Sequence, residues 1–424
     1  MPKPIPGKTY TVSAGDTLRG IARRAYGNDQ AALIAQANTR LLAGRPVSLE
    51  GLPTIRPGDV LELPGSTSRY DGRMITADFD SELSVKIGSR LFKGVTASRV
   101  ERGLNSIADG FTFDIPFDYR DRELVDAVRP YSFQEATLYI GGEPYITARI
   151  MKPTIELNGD ANTATIETRT IPGDTIECMS SHGALDYKNQ TLLEIGNDIA
   201  RRYNLRAFST HGDSDRIKQA IKEVTETDFE FLSRLASQKG FLVTSSRDGN
   251  ILFTRAAVDA KPVASLVAGN YPVQGVQLIA DGTKRHSTWY GYAEVSTGEP
   301  ARAFLRDESI PVFRPFAFSA DESEADNIEQ AVRWRMAKSI ADATNVQVTV
   351  SGYRNPDGQL WEENMKVTLL APHVCIFQAT DFIVQSVTLS KSESGGDIAI
   401  MPLVLPGAYN FEIPNSFPWD GYYS

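Results

Sequence analysis

Two tight groups of carboxylates are the first residues in this chain whose types and spacing could do chemistry. Asp78, Asp80 and Glu82 alternate along one stretch, and Asp321, Glu322 and Glu324 crowd another. Paired carboxylates can act as general acid and base in hydrolysis, or hold Ca²⁺ through oxygen ligands. Their settings argue against both roles. The first group alternates with other residues as one solvated strand face would, and the second stands at a helix start, where negative charge suits the dipole. Neither belongs to a loop of the EF-hand kind. The four histidines, His182, His211, His286 and His373, lie far apart and outside any H-E-x-x-H spacing, so they read as surface or core residues. There is no G-x-S-x-G, no P-loop, and no G-x-G-x-x-G between a strand and a helix. Cys178 and Cys375 read as two part-buried, inert thiols in a reducing cytosol. No catalytic residue, metal site or cofactor is assigned.

The bulk properties are those of an ordinary folded chain. Its 424 residues are 41% hydrophobic and 23% charged, enough for two to four domains. A net charge of −9 argues against a general nucleic-acid binder. No apolar run approaches the ~18 residues of a membrane span. The opening MPKPIPGK has no apolar core segment, so no secretory signal is expected.

The first 64 residues are punctuated as a small module. Tyr10 and Val12 begin a strand. Gly15 and Asp16 break it, and Asp16 or Thr17 caps a helix whose stripe is Leu18, Ile21, Ala22 and Ala25. Gly27 stops that helix, and residues 30–37 form a second one carrying Leu33 and Ile34. Pro57, Gly58 and Asp59 turn the chain into a strand over Val60–Leu63. The motif Y-x-V-x-x-G-D-T-L, the Ile-Ala pair, Tyr26-Gly27, Asn38 and the closing I-R-P-G-D-x-L-x-L-P resemble the LysM domain over residues 9–64. The stretch Leu41–Leu52 is longer than usual and is expected as a surface loop. The resemblance implies a βααβ fold. It also implies a groove with Gly15, Asp16, Thr17 and Leu18 on one wall and Ile55, Arg56 and Pro57 opposite. Such a groove would take the N-acetyl groups and hydroxyls of peptidoglycan, or dock a neighbouring protein. The competing reading is that these residues only cap the helix and close the turn.

Behind a linker at 65–75 the body is mainly β with an α+β insert. Alternation starts near Phe79, with Leu83, Val85 and Ile87, and continues through Val100–Arg102, Phe111–Ile115, Leu138–Ile140, Tyr145–Met151, Thr165–Arg169 and Thr175–Cys178. The middle is helical at Gln190–Tyr203. A Thr227/Glu230 capping box then opens a helix through Phe231, Leu232, Leu235 and Ala236, ended by Gly240. Two strands around a two-residue Asp248-Gly249 turn follow. The last third alternates at Val273–Ile279, Ser287–Ala293, Val346–Val350, Val367–Leu370 and Phe382–Leu389, with Trp361 among them. A single helix over 321–340 interrupts it. Ser319 and Glu322 cap that helix, Ala325, Ile328, Val332 and Met336 face inward, and Arg333, Arg335 and Lys338 lie late. Residues 406–424, rich in Pro, Gly and aromatics, read as an extended arm laid against a neighbour.

Several segments together, LFKGVTASRVERGLNSIADGFTFDIP, NQTLLEIGNDIARRYNL, FEFLSRLASQKGFLVTSSRDGNILFTR, GYRNPDGQLWEENMKVTLLAP and MPLVLPGAY among them, resemble the Mu-type baseplate hub proteins of contractile phage tails. The likeness spreads over about 75–405. It implies two β-barrel-like hub domains, at 76–179 and 258–405, flanking a small α+β domain at 180–257. It further implies a homotrimer forming a pseudo-sixfold ring between the tail tube protein and a trimeric central spike protein, among other baseplate proteins. The particle would be assembled in host cytoplasm, and DNA would pass through the channel without specific binding. The channel would be negative or neutral, with Arg333, Arg335 and Lys338 facing outward or into subunit contacts. A LysM-targeted peptidoglycan hydrolase and a non-enzymatic cell-wall binding protein are the alternatives.

Overall fold

The computed structural model describes residues 4–5, 8–26, 31–48, 52–63, 81–93, 95–158, 161–178, 183–293, 301–319, 328–392, 396–410, 412–414 and 416–420. The expected linker at 65–75, Phe79, Gly27, His182, Asp78, Asp80, Ala325 and the acidic group Asp321, Glu322 and Glu324 lie outside the described residues, as does the Glu322 half of a capping box.

The N-terminal segment folds as strand, two helices, a short third helix and strand. Thr9–Thr11 pairs antiparallel with Val60–Glu62, placing Tyr10 opposite Leu61. Helices Leu18–Tyr26 and Ala31–Ala37 pack on this pair, and Thr39–Leu42 adds one more turn. Leu18, Ile21, Ala22, Ile34 and Leu42 are buried together, the result of apolar residues recurring at three and four. Asn38 ties the helices to the closing strand. Its amide donates to the Ile34 and Glu62 carbonyls at 2.7 and 2.8 Å, and its oxygen accepts from the Glu62 N–H at 2.8 Å.

Within the stretch expected as a surface loop, residues 43–48 are largely exposed but also strap onto the body, and residues 49–51 lie outside the described residues. Gly44 N–H donates to the Tyr271 carbonyl (3.0 Å), Tyr271 N–H to the Arg45 carbonyl (2.7 Å), and Val47 N–H to the Gly269 carbonyl (3.0 Å). The Tyr271 ring is buried inside the N-terminal core. Leu42 is buried as well, so the added length serves docking.

The two β-rich segments share one 14-stranded sheet. Leu83–Ile87, Arg90–Lys93, Thr96–Gly103, Gly110–Pro116, Glu135–Ile140, Glu143–Asn158 and Ala161–Arg169 come from the first segment. Ala264–Val267, Val273–Ala280, Thr344–Ser351, Lys366–Ala371, Ile376–Val384, Ser386–Ser392 and Gly396–Val404 come from the second. The seam is an antiparallel pair, with Val387 opposite Arg102 and Leu389 opposite Val100. A single apolar core runs under both halves, including Phe111, Phe113, Trp361 and Phe382. The two separate β units expected from the sequence are thus joined in one ladder.

Between them, helices Leu192–Arg202 and Asp228–Gln238 cover short strands at Asp186–Gln190, Ala207–Ser209, Ile217–Ile221, Leu242–Ser245 and Ile251–Thr254. This unit has its own core around Ile195, Ile199, Phe231 and Phe253. Both helices start in a full capping box, Thr191 with Glu194 and Thr227 with Glu230. A further three-stranded sheet, Thr288–Ala293 flanked by Ala301–Arg306 and Pro315–Ser319, packs on helix Ile328–Asp342. Gly291 is required there: a Cβ would stand 2.7 Å from Val332.

Several expectations are corrected. Thr175–Cys178 is not a strand. Asp174–Glu177 is a helical turn following Pro172, with Thr175 Oγ1 bonded to the Pro172 carbonyl at 2.6 Å. The Asp248-Gly249 turn is longer than two residues: Ser246 N–H reaches the Asn250 carbonyl at 2.9 Å, leaving Arg247–Gly249 as the loop. Phe382–Leu389 is broken at Gln385 into two strands. The long helix runs on to Asp342, and Ile340 and Ala341 extend its buried face. Neither cysteine is part-buried: both are free and exposed, Cys375 at a left-handed corner with φ 62°. The C-terminal arm is not extended away from the chain. Gly407–Asn410 forms a helical turn against the long helix, the Pro418 carbonyl accepts from Phe377 N–H at 2.8 Å, and Arg285 lies over Phe417.

Candidate functional site

The N-terminal groove has a volume of about 520 Å³. Asp16, Thr17, Leu18, Arg19, Gly20 and Arg23 form one wall, and Ser48 with Leu52–Ile55 forms the other. Of the residues expected to line it, the structure brings Asp16, Thr17, Leu18 and Ile55 together. Gly15, Arg56 and Pro57 stand outside the lining. Arg19 and Arg23 were not anticipated. Their separation by one helical turn on the outward side of the apolar stripe was the available signal.

The chemistry of the wall is mostly committed within the fold. Thr17 Oγ1 accepts from Gly20 N–H at 3.0 Å, so Thr17 is the helix cap. Asp16 accepts from the Tyr10 hydroxyl at 2.8 Å and from Ser13 N–H at 2.9 Å, and pairs with Arg24. Burial raises the Asp16 pKa, but the Ser13 N–H, the Tyr10 hydroxyl and the Arg24 guanidinium together hold it below the usual carboxylate value. Gly15, at φ 87°, makes the turn before the helix. Asp59 does the same work at the other turn, bound by both Arg45 nitrogens at 2.8 and 2.9 Å and by Arg56 N–H at 2.7 Å.

A second polar cluster joins all three parts of the body. Arg102, with its side chain 4% exposed, donates to the Tyr145 carbonyl (2.8 Å) and pairs with Glu363 (2.6 Å). Burial alone would lower the Arg102 pKa; Glu363, and then Tyr145, Glu362 and Asp109, raise it instead. Arg247, from the α+β unit, pairs with Glu362 at 2.5 Å and Glu143 at 2.7 Å. Arg354 reaches Glu143 at 3.3 Å. Asp109 accepts from Gly103 N–H at 3.0 Å and from the Ser245 hydroxyl at 2.9 Å. Burial and the neighbouring Glu363 push its pKa up to about 7, against the pull of Arg102. A buried pair of this kind is weak evidence of stability by itself, but removing one partner is costly. Its members come from the α+β unit and from both halves of the sheet.

Elsewhere, His286 packs against Trp289 and Phe316 with ring centroids 5.1 and 4.9 Å apart, and burial with the nearby Arg314 lowers its pKa. Among the described residues no group of three or more His, Cys, Asp or Glu is placed to hold a metal ion. No helix of the described residues is long and apolar enough to cross a membrane.

Two family models match the chain. One, described as the second domain of baseplate hub protein gp44-like, covers residues 172–255. The other, described as the fourth domain of Mu phage baseplate assembly protein GpP, covers residues 324–412. The baseplate hub protein gp44 of Escherichia phage Mu is 27% identical over 334 residues, spanning 74% of this chain and 85% of that protein. Among solved structures, the 43 kDa tail protein of prophage MuSo2 from Shewanella oneidensis superposes with a TM-score of 0.67 at 24% identity, over 77% of this chain and 99% of the other. The tail protein from Neisseria meningitidis MC58 gives 0.66 at 17% identity, over 78% and 98%.

Proposed function

We infer that this chain is a structural hub protein of a phage tail baseplate. The observation that carries this is the length of the likeness: 27% identity over 334 residues to the Mu hub protein. The two matched domain models also fall in the chain order of their ordinals, second before fourth. The internal physics supports a scaffold. The sheet, its shared core and the Arg102 cluster spend their polar groups on holding three parts in one geometry.

The finer reading is a homotrimeric, pseudo-sixfold ring in a contractile tail, with the tube protein on one face and the central spike protein on the other. It is supported by the sheet's ends. Arg90–Lys93 and Ala264–Val267 each pair with one strand only among the described residues, and open edges call for a partner. A closed cyclic arrangement supplies one without running on into a fibre. The role is non-enzymatic, and the first 64 residues are a LysM domain, supported by their strand and helix order and the Asn38 tie. Because Asp16 and Thr17 are occupied by the fold, the groove suits protein docking better than glycan capture.

Light scattering of the purified chain, alone and with the spike protein, tests the ring. A trimer is expected in at least the second case; a monomer in both overturns it. Incubation with purified sacculi separates the hydrolase alternative, since released muropeptides would overturn the non-enzymatic reading.

A further inference from the structure

We propose that the outer edge of the three-stranded sheet, strand Ala301–Arg306, is a docking edge for an acidic, extended segment of a partner protein. Among the described residues this strand pairs on one side only, with Thr288–Ala293. Its inward residues Ala303 and Leu305 pack toward the core. Its outward residues alternate as Arg302, Phe304 and Arg306. Phe304 is 72% exposed in the middle of the edge, with the Tyr290 ring 6.3 Å away across the pair. Arg302 stands 5.9 Å from the exposed Tyr292 ring. The Arg306 side chain is 68% exposed and pairs with Glu308 at 3.4 Å, itself 79% exposed.

Arginines on an edge can serve merely to keep copies apart. A bare phenylalanine between them defeats that purpose, because it offers an apolar anchor to any incoming strand. Aromatic residues with arginine, poor in lysine and acid, are also the composition of protein-contact centres. Cross-strand neighbours select one another by charge and shape. An added strand would therefore meet Arg302, Phe304 and Arg306 with acid, apolar and acid at alternate positions, while its backbone extends the ladder. The chain's overall charge of −9 makes this a local positive exception.

The test uses the full chain and three fluorescent probes: a short peptide alternating Glu with Val, its Lys–Val counterpart, and an oligothymidylate. In low salt the Glu–Val peptide is expected to bind roughly tenfold or more tighter than the Lys–Val peptide. The double change Arg302→Glu with Arg306→Glu should reverse that preference, and Phe304→Ser should weaken binding of either peptide. All three side chains are exposed, so the fold is retained, and circular dichroism verifies it. Equal binding of the two peptides, or a preference that survives the double reversal, overturns the proposal. So does oligothymidylate binding lost with the same residues, which would mark a nucleic-acid face. Self-association lost in the double variant would identify the occupant as a second copy, and would likewise overturn it. Failure here leaves the hub reading intact, since that rests on the likeness to the Mu protein and on particle assembly.

Discussion

Asp109 shows how a residue silent in the sequence becomes informative once its neighbours are known. It sits in SIADGF, a stretch that reads as an ordinary turn. In the fold it is 4% exposed and lies near Glu363, more than two hundred positions away in the chain. Its pKa is raised to about 7 from the ordinary 3.8, so the folded state holds a proton that the unfolded chain releases. That contribution to stability is complete below about pH 4 and is lost as pH rises through 7. Asp109→Asn fixes the neutral form. Its denaturation midpoint should vary less between pH 5 and 8 than that of the wild type, with the variant gaining on the order of 2–3 kcal/mol relative to it at pH 8. Urea titrations across that range check this, and parallel curves for the two proteins would refute it. By contrast, a cap at Asp16 or Thr17 was readable from type and position alone, because capping depends on a neighbour two or three residues away. That Thr17 takes it while Asp16 pairs with Tyr10 and Arg24 needed the fold.

At the scale of elements, helices were legible where a cap and a stripe coincide, as at Thr227 with Glu230 followed by Phe231 and Leu232. The strands Ala301–Arg306 and Gly396–Val404 and the helix Arg122–Val128 were not identified. The helix is short and takes its start from Asp121, which accepts from Leu124 N–H at 3.1 Å. The groove was legible in part, since the turn and helix start are local, whereas its far wall depends on where the strap from Ala43 to Ser48 is pinned. That strap is the element least visible in the sequence, because its partners Gly269 and Tyr271 belong to a distant segment. Tyr271→Ala removes a ring buried in the N-terminal core while leaving the backbone bonds possible. We expect a loss on the order of 3 kcal/mol in docking of the N-terminal unit. Hydrogen exchange at the Gly44 and Val47 amides should then accelerate by roughly a hundredfold, by the same conversion. Unchanged protection would mean that the backbone strap alone holds the unit in place.

For the whole molecule, the sequence pattern points to two β-rich segments but could not reveal that they are halves of one sheet. Alternation reports which residues face a core; it carries no record of which strand lies beside which. The seam between Ser386–Ser392 and Thr96–Gly103 joins residues nearly three hundred positions apart, and Arg102 on that seam pairs with Glu363 across it. The apolar core likewise continues from Phe113 to Phe382 without division. The halves should therefore fail apart and succeed together. A fragment ending at residue 257 keeps the N-terminal helices and the α+β core, but exposes the Thr96–Gly103 edge and strands Arg102 in the interior without its carboxylate. An unpaired edge invites association with other chains, and a buried charge deprived of its partner costs about 3–5 kcal/mol. Expressed alone, this fragment is expected in the insoluble fraction. Co-expressed with 258–424 it should be recovered as a soluble complex that melts in one transition, because the shared ladder and core make the halves a single cooperative unit. A soluble, monomeric 1–257 fragment with a sharp melt of its own would show that the first β-rich segment closes without the second, and that the seam is a contact between finished domains.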